Sequence, residues 1–407
     1  MSNVSAFTNS NLALPKAWKL RPLGDIASVT MGNSPPGKSY NDTGEGMPLI
    51  NGPVEFSDGP FGLTKKTKFT TSPTKTCNKG DFLICVRGST TGRTNIAADD
   101  ACIGRGVAAI SAKTSQRYLN HFIRTLEKKI HSSGRGSTFP SISQTQLVEL
   151  LVPVPDFGNA QQNLAEQERI AGILDKADSI RRKRQQAIGL TKQFLRSTFL
   201  DMFGDPMTNP KGWPIEKLCD VVAEGAAVCY GIVQCGPHME DGIPYIKTSE
   251  MSRETLGPLE TFSRTSREIA AKYKRSTLET GDLVFANRAT IGAVVKVPEY
   301  LSGANLTQGT SRISPGPRVT SDYLLWLLRT QRMQAWFDRW AKGATFREIT
   351  MTQLRLTPIP VPPLDLQEDF AALAARLSRA KSGFNNAIKD SDNLFNSLVQ
   401  RAFRGNL

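Results

Sequence analysis

Apolar residues return every three or four positions along one long stretch, Gln161 to Phe203. Ile170, Ile173, Ala177, Ile180, Ala187, Phe194, Phe199 and Met202 mark the series. The spacing predicts a single helix. Asn163 with Glu166 suits a capping-box start, and Gly204-Asp205-Pro206 suits a stop. At about 1.5 Å per residue the helix would be on the order of 60 Å long. The core of a small domain has no use for such a length, whereas a strut between domains does. A second stretch, Asp365 to Phe403, repeats the pattern with Asp365 and Glu368 at its start and Phe370, Leu373, Leu377, Ala380, Phe384, Ala387, Leu394 and Leu398 along it. Phe370 lies 200 residues after Ile170, and Phe403 lies 200 after Phe203. Gln167-Glu168 recurs as Gln367-Glu368. Matching seams of this kind can be buried against each other as a coiled coil. The alternative is that each helix packs on the domain before it. The residues expected to meet a helical partner are Ile173, Ile180 and Phe194 on the first helix, and Leu373, Leu377, Phe384 and Leu394 on the second. Gly189 and Gly383 weaken the helices by about 1 kcal/mol each relative to Ala.

The repeat reaches beyond the helices. Pro15-Lys16-Ala17-Trp18 with Leu23 and Asp25 is matched by Pro210-Lys211-Gly212-Trp213 with Leu218 and Asp220. Met47-Pro48-Leu49-Ile50 is matched by Ile243-Pro244-Tyr245-Ile246, and Gly80-Asp81 by Gly281-Asp282. Strand-like runs follow, Phe82–Arg87 and Val107–Ser111 in the first half, Leu283–Asn287 and Ala293–Val297 in the second. A helix from Tyr118 carries Leu119, Phe122, Ile123, Leu126 and Ile130 on one face. A helix from Tyr323 carries Leu324, Leu327, Leu328 and Trp336. Each half closes on Gly-Ser/Ala-Thr-Phe, then Thr-Gln-Leu, then Pro-Val-Pro, at Gly136 to Pro155 and at Gly343 to Pro362. The plan is an α+β domain (1–158), a long helix (159–204), a second α+β domain (205–363) and a second long helix (364–407). The frame is shared and the filling differs, which suits one kind of contact made twice with two specificities.

Charge narrows the class. The chain of 407 residues carries a formal charge of +14, which favours a polyanionic partner, usually nucleic acid. Hydrophobic residues make up 39%, enough for real cores rather than wholesale disorder. No run approaches a membrane span, and Met1 to Leu14 lacks the plan of a signal peptide. Six cysteines without a Cys-x-x-Cys pair, and only three histidines, indicate neither a disulfide framework nor a zinc site. They fit free thiols in a reducing cytosol.

Basic residues fall in the loops of both halves. The candidates for DNA contact are Lys65, Lys66, Arg87, Arg93, Arg105 and Arg135 in the first half. In the second they are Arg288, Arg312, Lys342 and Arg347. Lys68, Arg264, Arg267, Lys272, Lys274 and Arg275 add to the same loops. Lys and Arg neutralise phosphates, and Arg reads guanine bidentately. For most of these a solvated surface charge is the simpler reading. Arg87 and Arg288 rise above it because both follow an apolar strand at the same repeat position. Arg181-Arg182-Lys183-Arg184, within the first long helix, suits DNA phosphates, a partner subunit or a solvated face.

Gly32-Asn33-Ser34-Pro35-Pro36-Gly37-Lys38-Ser39 satisfies the phosphate-loop formula, which would make Gly37, Lys38 and Ser39 part of a nucleotide site. That loop works by aiming backbone N–H groups at phosphates, and two prolines remove two donors. The turn-rich Tyr40 to Gly46 is not the helix that should follow. No Asp/Asn-Pro-Pro-aromatic motif of an adenine methyltransferase is present. A P-loop nucleotide hydrolase is therefore the weaker reading, and a two-domain DNA-binding adaptor is a milder alternative.

The Pro-Lys-x-Trp opening, the Gly-Asp-apolar strand, the Thr-Gln-Leu…Pro-x-Pro exit and the long helix near Gln-Glu all occur twice. This combination, from about Leu14 to the end, resembles the specificity subunit of a bacterial Type I restriction–modification system. Gly32-x-Ser34-Pro35-Pro36-Gly37 with Tyr40 is similar to a frequent opening of its target-recognition domains. The second half has Cys229-Tyr230-Gly231-Ile232-Val233-Gln234 there instead. The resemblance implies that each α+β domain is a target-recognition domain reading one half of a split, asymmetric double-stranded DNA site. It implies that the two helices form an antiparallel coiled coil fixing the gap. It also implies docking of two modification subunits, which bind S-adenosylmethionine and methylate adenine. Restriction subunits would join to make an ATP-dependent nuclease. The chain itself would be cytoplasmic, non-catalytic and free of cofactor.

Overall fold

The computed structural model describes residues 14–59, 61–127, 141–252, 255–343 and 347–407. The chain divides into two compact units. One takes the chain up to Arg184 and again from Ala387 to Leu407, and the other is Gln185–Asn386.

In the first unit the strands are β1 (Trp18–Pro22), β2 (Ala27–Met31), β3 (Tyr40–Asn41), β4 (Met47–Ile50), β5 (Phe69–Thr70), β6 (Thr76–Cys77), β7 (Phe82–Cys85), β8 (Thr94–Ile96), β9 (Ala101–Ile103), β10 (Val107–Ala112) and β11 (Leu151–Pro155). They form sheets in the orders β2-β10-β7-β8, β3-β5-β4-β9-β6 and β1-β11. Among the described residues of this unit the ladders are antiparallel except β4 with β9. The apolar run of β7 is buried on both faces. Side chains alternate across a strand, so Phe82 and Ile84 enter one core while Leu83 and Cys85 enter another.

The second unit carries β12 (Ile215–Lys217), β13 (Cys229–Tyr230), β14 (Ile243–Ile246), β15 (Arg264–Thr265), β16 (Leu283–Ala286), β17 (Val294–Lys296), β18 (Asn305–Leu306), β19 (Thr310–Ile313) and β20 (Pro358–Pro360). The orders are β13-β19-β16-β17, β15-β14-β18 and β12-β20, again with one parallel ladder, β14 with β18. The repeat read from the sequence is therefore a repeat of topology. Leu283 and Phe285 face one core, and Val284 and Ala286 the other.

Short signatures acquire a structural meaning. Thr-Gln-Leu is a capped helical turn, with capping boxes Ser143/Gln146 and Thr350/Gln353 and with Leu147 and Leu354 buried. The Tyr118 helix, Gln116–Thr125, starts at Ser115 and buries Tyr118, Leu119, Phe122 and Ile123, as its spacing predicts; Ile130 lies outside the described residues. Tyr118 donates to the Pro153 carbonyl at 2.6 Å, and Tyr323 to Pro360 at 2.7 Å. Gln167 and Gln367 are buried; their side-chain oxygens accept from Ser115 N at 3.3 Å and Thr320 N at 2.8 Å. The recurring Gln thus ties each long helix to the loop that starts the domain's own helix.

Several expectations need correction. The second helix of the Tyr323 region is broken. Ser321–Leu328 ends, and Thr330 caps a separate helix, Gln331–Trp340, that holds Trp336. The first long helix, Ala160–Phe203, is capped by Asn159, whose side chain accepts from Gln161 N at 2.8 Å. Asn163 instead accepts from Phe157 N. The second long helix is Leu364–Ala402; Asp365 accepts from its neighbour Leu366 N, and among the described residues no capping box with Glu368 is formed. The seam is also shifted. In the first unit Ile170, Ala171 and Leu174 are buried and Ile173 is half-buried. Ile180 and Leu394 are 51% and 59% exposed. In the second unit Leu195, Phe199, Phe203, Phe370 and Ala374 are buried and Leu373 and Leu377 are half-buried. Phe194 and Phe384 are exposed. Ile170, Phe199 and Phe370 of the predicted series are buried, while Leu174 and Leu195, each one position beyond Ile173 and Phe194, take the buried places there.

Within the first unit, the end of the second long helix lies against the first. Arg169 donates to the Leu407 carbonyl at 2.7 Å, Arg184 to the Ala387 carbonyl at 2.6 Å and to the Ser391 hydroxyl. Asp178, buried at 1% exposure, receives Arg124 at 3.1 Å, Arg181 at 2.7 Å and Arg182 at 2.9 Å. Arg124 and Arg181 both lie over the Phe395 ring at 5.0 Å. Arg181 and Arg184 are therefore turned inward, not toward phosphate. In the second unit the matching packing is aromatic: Phe199 meets Phe203 at 4.8 Å and Phe370 at 5.2 Å, and Phe203 meets Tyr323 at 4.9 Å.

Candidate nucleic-acid interface

The two arginines singled out by the repeat occupy equivalent backbone positions. Arg87 leaves β7 and bridges to Ser141; Arg288 leaves β16 and bridges to Glu348. The flanking hydrogen bonds match as well. Ile142 N donates to Val86 O at 3.0 Å, and Ile349 N to Asn287 O at 3.1 Å. The next residue is left-handed in both, Gly88 at φ 88° and Ala289 at φ 58°. Alanine there is strained by about 1–2 kcal/mol, yet the turn that presents the arginine keeps its form.

Both arginine side chains are exposed. Arg288 ion-pairs with Glu348 at 2.5 Å while 45% exposed. Such surface pairs contribute only about 0–1 kcal/mol, so a phosphate can compete with the carboxylate. Backbone bridges from Glu348 to Arg288 and to Lys342 gather these two, with Arg347 next in the chain to Glu348. Arg347 pairs loosely with Asp338 at 3.8 Å. In the first unit Arg93 ends the β7–β8 turn begun by Arg87 and is half-buried. Arg105, exposed, has its backbone N–H 3.5 Å from the Ser34 hydroxyl. Lys65 is exposed on the loop before β5, and Lys66 pairs with Asp99 at 3.0 Å. Arg135 lies outside the described residues. Arg312 is different. Its side chain is 11% exposed and bonds Asp282 at 2.6 Å and Glu279 at 3.3 Å, so it braces the strand instead of offering a cation to solvent.

The phosphate-loop look-alike is a structural turn. A single 3-10 turn, Gly37–Ser39, leads into β3 and not into a helix. The Ser39 hydroxyl is engaged by the Pro36 carbonyl and by Thr70, both at 2.7 Å. Gly32 is required because a Cβ would sit 2.2 Å from the Gly104 carbonyl oxygen. Gly231 meets the same constraint at 1.8 Å from the Leu306 oxygen. Despite their different sequences, the two early loops leave the sheet at the same point.

Beyond that point they diverge. In the second unit the helix Arg267–Lys272 and the turn Lys274–Ser276 help to enclose a cavity of about 580 Å³. Tyr230, Tyr273, Lys272, Lys274, Arg275 and Arg355 are among its lining. Burial pushes the Cys229 thiol at its edge up, while Arg312, Arg275 and Arg355 pull it back, which registers the local positive field. The sequence reading included Lys272, Lys274 and Arg275 only as loop cations. The signal available was their density, five basic residues between Arg264 and Arg275.

The family model described as the Type I restriction modification DNA specificity domain matches twice, at residues 15–190 and 236–391. The EcoBI type I restriction enzyme specificity subunit of Escherichia coli is 23% identical over 98% of this chain and 88% of its own. A putative MjaX specificity subunit from Methanocaldococcus jannaschii is 31% identical over 46% of this chain and 43% of its own. The crystal structure of the Type-I restriction-modification system S subunit from M. genitalium shares the fold, with a TM-score of 0.58 at 14% identity over 97% of this chain and 98% of that one. A duplicated α+β module with long helices, on a basic chain, defines a class of two-domain DNA readers. The chain belongs to the type I restriction modification DNA specificity family, as a specificity subunit that supplies DNA recognition and not catalysis.

Proposed function

We propose that the chain reads a split, asymmetric double-stranded DNA site, with residues 1–158 forming one target-recognition domain and residues 205–363 the other. The observation that carries this reading is the duplicated presentation of one arginine, Arg87 and Arg288, on equivalent turns of two diverged domains. Phosphate contacts position such a protein and a few loop side chains read bases. Arg87, Arg93, Arg105, Lys65 and Lys66 serve the first half-site. Arg288, Lys342 and Arg347 serve the second.

The long helices, 159–204 and 364–407, pair as an antiparallel coiled coil whose length sets the gap between half-sites. The reversed order of the contacts Arg169–Leu407 and Arg184–Ala387 supports that pairing. Exposed apolar residues remain on these helices, Ile180 and Leu394 in one unit and Leu190, Phe194 and Phe384 in the other. These dock two modification subunits, which bring S-adenosylmethionine and methylate adenine. Restriction subunits bring ATP-dependent cleavage, and the assembly works in the cytoplasm. Co-expression with the chain's genomic neighbours tests the reading. A complex with two modification subunits per chain that binds duplex DNA is the expected product. A chain that purifies alone and binds DNA without a methyltransferase would support an adaptor instead.

A further inference from the structure

The two domains share a frame, so the places where one has built something extra are where their readings of DNA can differ. One such difference lies between β15 and β16. In the first domain, the chain from Thr70 to Cys77 is short and closes directly on the early loop, with the Thr74 hydroxyl bonding the Asn33 carbonyl at 2.5 Å. In the second, the equivalent buried threonine, Thr265, still ties down its early loop through the Cys235 carbonyl at 2.7 Å. A longer segment then runs to Leu278 and leaves the 580 Å³ cavity.

What lines that cavity is chemically uneven. Lys272, Lys274 and Arg275 are exposed cations. Arg355 is held in place by donating to the Val228 carbonyl at 2.8 and 3.1 Å. Arg312 lies alongside, but Asp282 and Glu279 neutralise it. Tyr230, 46% exposed, and Tyr273 supply aromatic faces. The walls are anchored, since Ser276 bonds Asn305 at 2.7 Å and Cys229 bonds the Arg275 carbonyl at 3.3 Å. Exposed cations around an aromatic face, on a rigid rim, suit a phosphodiester with its adjoining nucleoside.

We infer that the cavity bounded by Tyr230, Lys272, Lys274 and Arg275 is a backbone-phosphate site of the second domain that seats the DNA of the second half-site. The inference rests on the DNA-reading function proposed above and assigns it a location. Lys272 and Lys274 hold the phosphate. Tyr230 packs against the neighbouring sugar and base.

The test uses the chain assembled with its modification subunits and a duplex carrying the motif that the wild-type complex methylates. Affinity is measured across a salt titration. The double variant Lys272→Ala/Lys274→Ala should bind about 10-fold more weakly near physiological salt and flatten the log–log salt slope by about 0.9, the loss of one phosphate contact. The methylated motif should not change. Tyr230→Ala should weaken binding with an unaltered slope, and Tyr230→Phe should restore it. These side chains are solvent-facing, so the variants keep their fold. An unchanged slope in the double variant, with wild-type binding intact, would overturn the phosphate site alone. A wild-type complex that methylates no split motif would instead overturn the proposed function beneath it.

Discussion

Asp178 is the residue whose removal should destabilise the first unit most for its size. It is an anion at 1% exposure, and three guanidinium groups converge on it: Arg124, Arg181 and Arg182. Arg182 is 59% exposed, so its share is at the surface level of about 0–1 kcal/mol. Arg124 and Arg181 are 14% and 18% exposed. Burial holds the Arg124 guanidinium below its ordinary value, and the like charge of Arg181 adds to that. Asp178→Ala leaves these two cations facing each other with no anion between them. Breaking a buried pair costs about 3–5 kcal/mol. Stacking on Phe61 and Phe395 survives the change, and Asp392 remains 3.7 Å from Arg181, so we expect the lower end, about 3 kcal/mol. Urea unfolding should show the loss as a lowered midpoint. Hydrogen exchange should localise it to peptides covering Gln116–Thr125 and the end of the second long helix. Adding Arg124→Met should recover part of the loss, because it removes one stranded charge. A loss below about 1 kcal/mol, or no recovery in the double variant, would refute the reasoning and mean that the cluster is hydrated rather than mutually paired.

Arg288→Ala in the assembled complex should weaken DNA binding and reduce the salt slope by about 1; identical titrations for variant and wild type would remove Arg288 from the interface. Burial tends to raise the Asp175 pKa, but hydrogen bonds from His121 and Arg117 outweigh it and hold the carboxyl below its usual range. Its stabilising contribution is present above the unfolded value of about 3.9 and is lost as pH falls through the folded one. Asp175→Asn should therefore lower the thermal midpoint at neutral pH and converge with wild type in acid, and a constant difference across that range would contradict the linkage. Burial pushes the Cys77 and Cys85 thiols up to about 11. Thiol reagents at pH 8 should label neither until the protein unfolds, while the half-buried Cys219, Cys229 and Cys235 react first; early labelling of Cys85 would show that the β7 core opens.

What could be read from the sequence was whatever repeats. The two long helices, the Gly-Asp strand and the Thr-Gln-Leu turn recur at nearly constant offsets, and their bounds fall within a residue or two of the structure. The seam was less legible, because Ile180 and Phe194 satisfy helical spacing as well as Leu174 and Leu195 do. Which stripe is buried depends on what the helix meets, and Asp178 breaks the apolar pattern at the point where arginines from other segments reach it. The capping boxes failed for a local reason. Asn159, four residues before Asn163, reached the first free N–H groups of the helix. Among the candidate contacts, Arg87 and Arg288 were legible because one position was used twice. The cavity near Tyr230 was not, because it lies where the halves differ and no second copy marks it. Arg312 looked like its neighbours in sequence, and only the fold turns it onto Asp282.

The most direct measurement of the central claim is sequencing of N6-methyladenine in host DNA with this chain present and deleted. The account predicts a split motif of two fixed parts and a constant gap that disappears on deletion. An unchanged methylome, with a functional adenine methyltransferase co-purifying with the chain, would contradict it.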